Sequence, residues 1–266
     1  MARGYDVIGS KGKAIAIIEV RDDDAEAGLE KALAERIMKR NKHIVSVLKK
    51  ESAREGEFRI REYSLIAGDD NTEVLHMENG YKLLLDPQLV YFSNRESTER
   101  VRIASQVQPG EVVMVMFAGI GPYAIAIAKA QSDVQKIIAV EINSEAVRYM
   151  EHNIRINKLS HKIVPVQGDV RDTCEPWYGK CDRVVMPLPL GAGGFLDVAA
   201  KCAKHGAVVH LYGWGNEADG NVYAATEKAI EGFAKKNSVR YEIVGMRRVL
   251  PYAPGRYKVC VEFKVL

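Results

Sequence analysis

The chain has 266 residues and a mass of 29.6 kDa; 47% of the residues are hydrophobic, 27% are charged, and the formal net charge is +3. This composition suits a globular protein with room for one large domain and a smaller one. No apolar run reaches membrane-spanning length and no apolar segment precedes a cleavage site at the N-terminus, so neither a membrane helix nor a secretory leader is expected, and the cytoplasm is the expected compartment.

Ala14 to Val20 is an apolar, branched run that reads as a strand, and Asp22 to Asp24 are placed to cap a following helix. Leu29, Leu33 and Ile37 then recur at helical spacing, and that helix is expected to end near Asn41. Ile44 to Leu48 and Phe58 to Ile66 read as strands, and Glu73 to Met77 with Tyr81 to Leu85 as a hairpin across Glu78-Asn79-Gly80. Residues 1–85 are thus expected to form a small α+β domain. Within it Lys39, Arg40, Lys42, Lys49, Lys50 and Arg54, followed by Arg59 and Arg61, make a basic cluster. Such a cluster suits either phosphate contact or a solvated helix face.

Residues 86–108 read as a connector, with Pro87 limiting regular structure and Ser97 to Ile103 forming a helix. From residue 109 to 266 apolar strands alternate with helices, which implies a mainly parallel sheet covered on both faces, closed by two antiparallel strands linked through Pro251 to Gly255. At its start an apolar strand, Val112 to Met116, runs into Phe117-Ala118-Gly119-Ile120-Gly121-Pro122 and then a helix with Ile125 and Ala128 on one face. A strand, a glycine turn and a helix open a nucleotide-binding α/β unit. Three readings stand at this level: a dinucleotide site with Ala124 at the third glycine position, an adenosylmethionine site, or a plain strand-to-helix turn. No lysine follows in the P-loop position, which argues against a triphosphate cradle.

Glu141 ends the next strand, where a carboxylate accepts hydrogen bonds from a ribose diol or neighbours a helix cap. Asp169 follows the third strand and reads as a partner of an adenine amine or as a turn carboxylate. Met186-Pro187-Leu188-Pro189 followed by Gly191 to Gly194 either lines the substrate pocket at the strand ends or forms a surface loop. The four cysteines, Cys174, Cys181, Cys202 and Cys260, have no metal-ligand spacing and read as reduced, mostly buried thiols.

Taken together, Phe58 to Tyr63, Tyr91 to Arg95, Glu99-Arg100, Met116 to Pro122, Glu141 to Asn143, Asn153 to Leu159 and Gly168 to Arg171 resemble the archaeal and eukaryotic tRNA (guanine-37-N1) methyltransferase family, from about residue 12 to the end. The resemblance implies a class I, Rossmann-like adenosylmethionine-dependent methyltransferase fold preceded by a small tRNA-positioning domain. It implies S-adenosyl-L-methionine as cofactor, the tRNA anticodon stem-loop as partner, and action as a monomer. By residue it implies Glu99 as general base, Arg59 as guanine O6 partner, Tyr91 beside the methionine end of the cofactor, Glu141 on the ribose and Asp169 near the adenine. Arg100, Phe117, Ala118, Gly119, Gly121, Ile142, Val170 and Pro187 complete the expected cofactor-binding set. Guanine would enter between Arg59, Glu99 and Pro187.

The chain departs from this family's pattern at two points: Val115 stands where an acidic residue usually precedes Met-Phe-Ala-Gly, and Pro187 replaces an asparagine after the fourth strand. A related family, which transfers the aminocarboxypropyl group to the wybutosine precursor in tRNA, shares the scaffold and also lacks that asparagine pattern. It is the alternative enzyme reading. A non-catalytic protein binding tRNA and adenosylmethionine is the alternative outside catalysis.

Overall fold

The computed structural model describes residues 4–19, 29–51 and 62–266. The cap expected at Asp22 to Asp24, Arg54, Arg59, Arg61 and the first part of the strand expected from Phe58 lie outside them.

Near the N-terminus, β1 (Tyr5–Gly9), β2 (Ala14–Ile18), β3 (Ile44–Lys50) and β4 (Tyr63–Gly68) form a sheet in that order, with only the β2–β3 pair parallel. β1 was not anticipated from the sequence. Alternation along β2 sends Ala14, Ala16 and Ile18 toward the helix α1 (Leu29–Arg40), where they pack with Ala34 and Ile37. Ile15 and Ile17 point the other way, into the main core of the molecule. Burial on both faces explains why β2 reads as an unbroken apolar run rather than an alternating one.

The hairpin of β5 (Val74–Glu78) and β6 (Tyr81–Leu85) turns on Asn79 and Gly80, both at positive φ, as a two-residue loop of right-handed twist requires. It makes a two-stranded sheet of its own. One edge of β6 is closed by two asparagines of a later helix, α4 (Ser144–Ile156 with Asn157 as its cap). Asn153 accepts from Leu84 N at 2.6 Å and donates to Leu84 O at 3.1 Å; Asn157 accepts from Lys82 N at 3.0 Å and donates to Lys82 O at 2.7 Å. Spaced four apart on one helix face, the two amides complete hydrogen bonds that a neighbouring strand would otherwise supply.

After the helix α2 (Ser97–Gln106) the chain lays down β7 (Val112–Met116), α3 (Pro122–Ala130), β8 (Lys136–Glu141), α4, β9 (Ile163–Gln167), α5 (Val170–Thr173), β10 (Cys181–Met186), α6 (Leu196–Cys202), β11 (Ala203–Asn216), α7 (Ala224–Asn237), β12 (Tyr241–Ala253) and β13 (Arg256–Val265). The sheet order is β12-β13-β11-β10-β7-β8-β9. Strands β7 to β11 are parallel, and β13 inserts antiparallel between β11 and β12, leaving β12 at the edge. The strand order reverses between β7 and β10, and in an open parallel sheet the crevice at such a reversal is where ligands bind. All four cysteines are buried free thiols. Among the described residues no helix is long and apolar enough to cross a membrane.

Candidate active site

The end of β7 is shaped by backbone geometry. Phe117, Gly119 and Gly121 have φ of 54, 55 and 84°, so the chain folds back on itself and Gly121 N donates to Ala118 O at 3.0 Å before Pro122 opens α3. Gly121 is required twice over, since a Cβ there would also lie 3.0 Å from Met150 Cγ on α4. At Gly119 an added Cβ would have only Tyr91 O nearby, at 3.8 Å. Phe117, a non-glycine residue in the left-handed region, is held by an edge contact to Phe195 with ring centroids 5.0 Å apart.

Glu141 closes the facing side. Its Oε2 accepts from Gly119 N at 2.7 Å and its Oε1 from Asn143 N at 2.9 Å. Burial pushes this carboxyl above its usual range, against the backbone N–H groups of Asn143, Gly119 and Ile142 that favour the charged form. Two carboxylate oxygens hold about four hydrogen-bonding directions, so the acid keeps acceptor capacity beyond its backbone bonds.

These residues surround a cleft of about 860 Å³, open solvent at its mouth included. Of the residues named from sequence, Tyr91, Arg100, Phe117, Ala118, Gly119, Glu141, Ile142 and Pro187 line it. Gly121, Asp169 and Val170 do not. Gly121 shapes the turn from behind, and Asp169 caps α5 by accepting from Arg171 N at 2.7 Å, with Val170 buried beneath. Apolar walls of Phe117, Pro122, Ile142 and Leu188 with an acid at one end fit a flat nucleoside bearing vicinal hydroxyls.

Glu99, expected as the base, does not reach the cleft. Its carboxylate is buried, with Oε1 accepting from Arg102 Nη2 at 2.7 Å and from the Tyr212 hydroxyl at 2.6 Å, and Oε2 from Arg102 Nε at 2.8 Å. Arg102 sits one turn along the same face and binds both oxygens of the acid. Besides Glu141, the carboxylate that lines the cleft is Glu96, one residue before α2. Lys258 Nζ of β13 donates to Glu96 Oε2 at 2.7 Å, while the Tyr91 and Tyr123 hydroxyls approach at 3.2 and 3.3 Å. Burial works to raise this carboxyl, but the charge and hydrogen bond of Lys258, with Arg100 and Tyr91, outweigh it and hold the group below the usual range. Neither Glu96 nor Lys258 was singled out from sequence. Glu96 belongs to a short 3-10 turn with no motif, and its partner is 162 positions away.

Arg100, four residues after Glu96, is anchored rather than free. It donates through Nε to Glu78 Oε1 at 2.7 Å, through Nη2 to Glu78 Oε2, and to Ser93 O at 3.0 Å. A second cavity of about 1220 Å³ adjoins the cleft through Tyr91, Phe92, Ser93, Glu96 and Pro189. It runs between the N-terminal sheet and the β11 and β12 ends, past Lys50, Tyr63, Arg95, Trp214 and Tyr252.

Behind the sheet His210, Cys260 and Glu262 offer atoms within 4.8 Å of one another. Protein cations already occupy this cluster: Arg183 Nη1 lies 2.7 Å from His210 Nε2 and Arg102 Nη1 pairs with Glu262. Because the guanidinium must donate, His210 Nε2 accepts and Nδ1 carries the proton toward Glu262 Oε1, 3.1 Å away.

A reversed parallel sheet, a glycine turn and an acid at the end of the next strand, together with the β-rich unit in front of them, define a class I Rossmann-like methyltransferase fold. The chain belongs more narrowly to the TRM5/TYW2 methyltransferase family, whose domain matches residues 74–244. It is 40% identical to the Pyrococcus abyssi protein named tRNA (guanine(37)-N(1))-methyltransferase Trm5b, over 98% of this chain and 74% of that protein. The crystal structure of Methanocaldococcus jannaschii Trm5 in complex with adenosine superposes with a TM-score of 0.82 at 35% identity, covering all of this chain and 74% of the other. The tRNA(Phe) (4-demethylwyosine(37)-C(7)) aminocarboxypropyltransferase of M. jannaschii is also similar, 32% identical over 79% of this chain and 81% of that protein.

Proposed function

We propose that the protein is an S-adenosylmethionine-dependent tRNA methyltransferase acting in the cytoplasm on N1 of guanosine 37. The observation that carries the reading is the pair of joined cavities. One has the shape and the acid for an adenosine moiety, and the other is large and aromatic and opens beside the N-terminal sheet. The named activity of the P. abyssi relative and the adenosine held by the M. jannaschii one support the same assignment.

The bound cofactor supplies an electrophilic methyl group on a sulfonium. Glu141 holds the ribose hydroxyls through its remaining acceptor positions, and Phe117, Pro122 and Ile142 flank the adenine. The Gly119 turn lets the ligand approach the backbone closely. Tyr91 stands where the two cavities meet and bounds the methyl-bearing end. Arg100, fixed by Glu78, sets the wall behind it. An unstacked anticodon-loop base then enters from the second cavity. Loop bases suit this route, since extruding a base costs a few kcal/mol, and least when it is already unpaired. Arg59, proposed for O6, lies outside the described residues.

The aminocarboxypropyl alternative is favoured by one observation, Pro187 in the wall where an asparagine amide would otherwise meet guanine. Mass analysis of tRNA incubated with the protein and S-adenosylmethionine labelled in both the methyl and aminocarboxypropyl groups separates the two. One added methyl on guanosine 37 is the expected result; added aminocarboxypropyl mass refutes methylation.

A further inference from the structure

The second cavity is larger than the cleft it adjoins, about 1220 Å³ against about 860 Å³, and a single base passing into the cleft makes use of it only as an entrance. Its far wall is the outer end of the large sheet. In register, Trp214 of β11 stands opposite Lys258 of β13 and Lys258 opposite Leu250 of β12, so the three side chains form one row across three strands, and all three line the cavity. Tyr252 joins this row: its ring lies 4.6 Å from that of Trp214, tilted by 51°, and the residue is 60% exposed. Neither Trp214 nor Tyr252 lines the cleft, and neither the indole N–H nor the phenol hydroxyl has a hydrogen bond among the described residues. Charge does not account for this wall. The cations Lys50, Arg95 and Lys258 are matched within the cavity by the acids Asp6, Glu19 and Glu96. Lys50 Nζ lies 3.0 Å from Glu19 and 3.9 Å from Asp6, Arg95 Nε 4.0 Å from Asp6, and Lys258 Nζ 2.7 Å from Glu96. Three cations against three acids leave no excess to draw phosphates, so what the wall offers is flat apolar surface with hydrogen-bonding tips. A nucleobase has the same make-up, two apolar faces and a polar rim.

We propose that Trp214 and Tyr252 form a second base-binding site, on which the nucleotide next to the target in the anticodon loop stacks. This rests on the guanine-37 reading given above. A base drawn out of its stack into the cleft leaves its neighbour without a stacking partner, and the chain that joins them brings that neighbour to the cavity beside the cleft. Stacking on the Trp214 and Tyr252 rings returns to the neighbour the contact it has lost, and it does so for any base, since every base has a π-face. The site holds the loop open around the extruded base but touches neither the methyl group nor the atom that receives it. It therefore stabilises bound tRNA before and during transfer to the same extent, which sets KM and leaves kcat unchanged. Because the cations of this cavity are already paired, the contribution of the aromatic pair is also independent of salt.

Trp177 and Trp214 are the two tryptophans of the chain, and Trp177 lies in a short turn after α5 that lines neither cavity. Trp177→Phe thus leaves Trp214 as the only indole fluorophore. This protein is saturated with unmodified tRNA transcripts carrying guanosine 37, either intact or with an abasic site at position 36 or 38, in the presence of S-adenosylhomocysteine. The intact transcript should quench Trp214 emission, and an abasic site at one of the two positions should remove the quench. In steady-state methylation with labelled S-adenosylmethionine, Trp214→Leu should raise KM for tRNA about tenfold with kcat within about threefold, and Trp214→Phe should restore most of the loss. Tyr252→Leu, at an exposed position where folding is not at stake, should raise KM about threefold or more. The abasic site that removes the quench should raise the wild-type KM by the same factor as Trp214→Leu and add nothing to that variant. Calorimetric affinity for S-adenosylhomocysteine and the salt dependence of tRNA binding should match the wild type throughout. The inference is overturned if both leucine variants keep KM within twofold of wild type, if the quench survives both abasic sites, or if S-adenosylhomocysteine binding falls along with KM. Any of these results alongside wild-type label on guanosine 37 defeats the stacking site alone, whereas absence of that label with wild type defeats the guanine-37 reading and the site with it.

Discussion

Two buried ionic clusters flank α2, and they differ in what they leave open. On the cleft side Arg100, Glu96 and Lys258 line the cavities, with Glu78 bound behind Arg100, and Glu96 and Lys258 stand where the two cavities meet. On the far side Glu99, Arg102, Glu262, His210, Arg183 and Glu111 form a continuous chain of bonds with the Tyr212 hydroxyl at one end. Similar residue types serve different ends: a cluster whose partners are bonded to one another holds α2 on the sheet, whereas one that lines a cavity can engage a ligand. Changes on the two sides should therefore separate stability from activity, with one exception.

That exception gives the largest expected effect. Arg100 lines the cleft, yet its fork is spent on Glu78, and both side chains are 2 to 3% exposed. Arg100→Met leaves a carboxylate buried without its counter-charge and should cost about 3–5 kcal/mol, read from urea denaturation, even though the residue belongs to the cleft wall. A loss below about 1 kcal/mol would mean that Glu78 finds another partner and that the cleft-side cluster is not anchored at this end.

Glu262→Gln probes the far side through pH. Burial tends to raise the Glu262 carboxyl, but its bond with His210 and the guanidinium of Arg102 overcome this and hold it well below the usual range. A carboxyl depressed on folding stabilises the protein above its unfolded value, near 4.3 for glutamate, and that stability is lost as pH falls through the lower folded value. His210 adds to the same trend at higher pH. Burial, with Arg183 and Arg102 nearby, lowers its imidazole despite Glu262, so the unfolded chain takes up a proton near pH 6.5 that the folded one refuses. Wild-type stability should thus fall in two stages on acidification. Glu262→Gln should lose about 1–3 kcal/mol at pH 7 and show a smaller lower stage in urea midpoints taken at pH 7, 5 and 3.5, the remainder coming from other depressed carboxyls such as Glu96. Its kcat per folded molecule should follow the wild type.

Gly119→Ala is the converse test on the cleft side. The backbone there is left-handed, so alanine costs about 1–2 kcal/mol of stability. The new methyl meets little protein, only Tyr91 O at 3.8 Å, on the side where Tyr91 and Gly119 both bound the cleft. Cofactor affinity measured by calorimetry should drop about tenfold, a loss of roughly 1.4 kcal/mol in binding. Unchanged affinity would place the cofactor away from this turn.

The two clusters also mark where sequence reading reached and where it stopped. Strand, turn and helix signals carried the alternating half of the chain, because a parallel strand buried on both faces leaves an apolar run and a left-handed turn leaves a glycine. The same signals led to Gly119 and Glu141, and the family resemblance to Tyr91; all three line the cleft. They did not reveal that Asn153 and Asn157 close a strand edge, since a helical asparagine carries no mark of its partner. Nor did they divide the carboxylates of one short segment. Glu96 and Glu99 lie three apart, within a turn of each other, and which faces the ligand is decided by Lys258 on one side and by Arg102 and Tyr212 on the other. Lys258 and Tyr212 come from strands more than a hundred residues later, so only the folded sheet sorts the two acids.

Tyr212 stands between the clusters and yields the smallest effect and the finest distinction. Its ring lies under Lys258 Nζ at 4.8 Å and meets Tyr123 edge-on at 6.1 Å, facing the cleft, while its hydroxyl donates to Glu99 on the far side. Burial, with Tyr123, Cys260 and Glu99 nearby, pushes the phenol well above its usual value, so the hydroxyl remains a donor throughout the working pH range. Tyr212→Phe deletes that donor and keeps the ring. Arg102 still holds both oxygens of Glu99, so the cost should be about 1 kcal/mol in urea denaturation, with kcat and cofactor affinity unchanged. Tyr212→Leu removes the ring as well and should lower kcat in addition, because Lys258 loses the aromatic face beneath it. If the phenylalanine variant instead lost turnover in proportion to the leucine variant, the hydroxyl on Glu99 would be coupled to the cleft, and the two sides of α2 would act as one network.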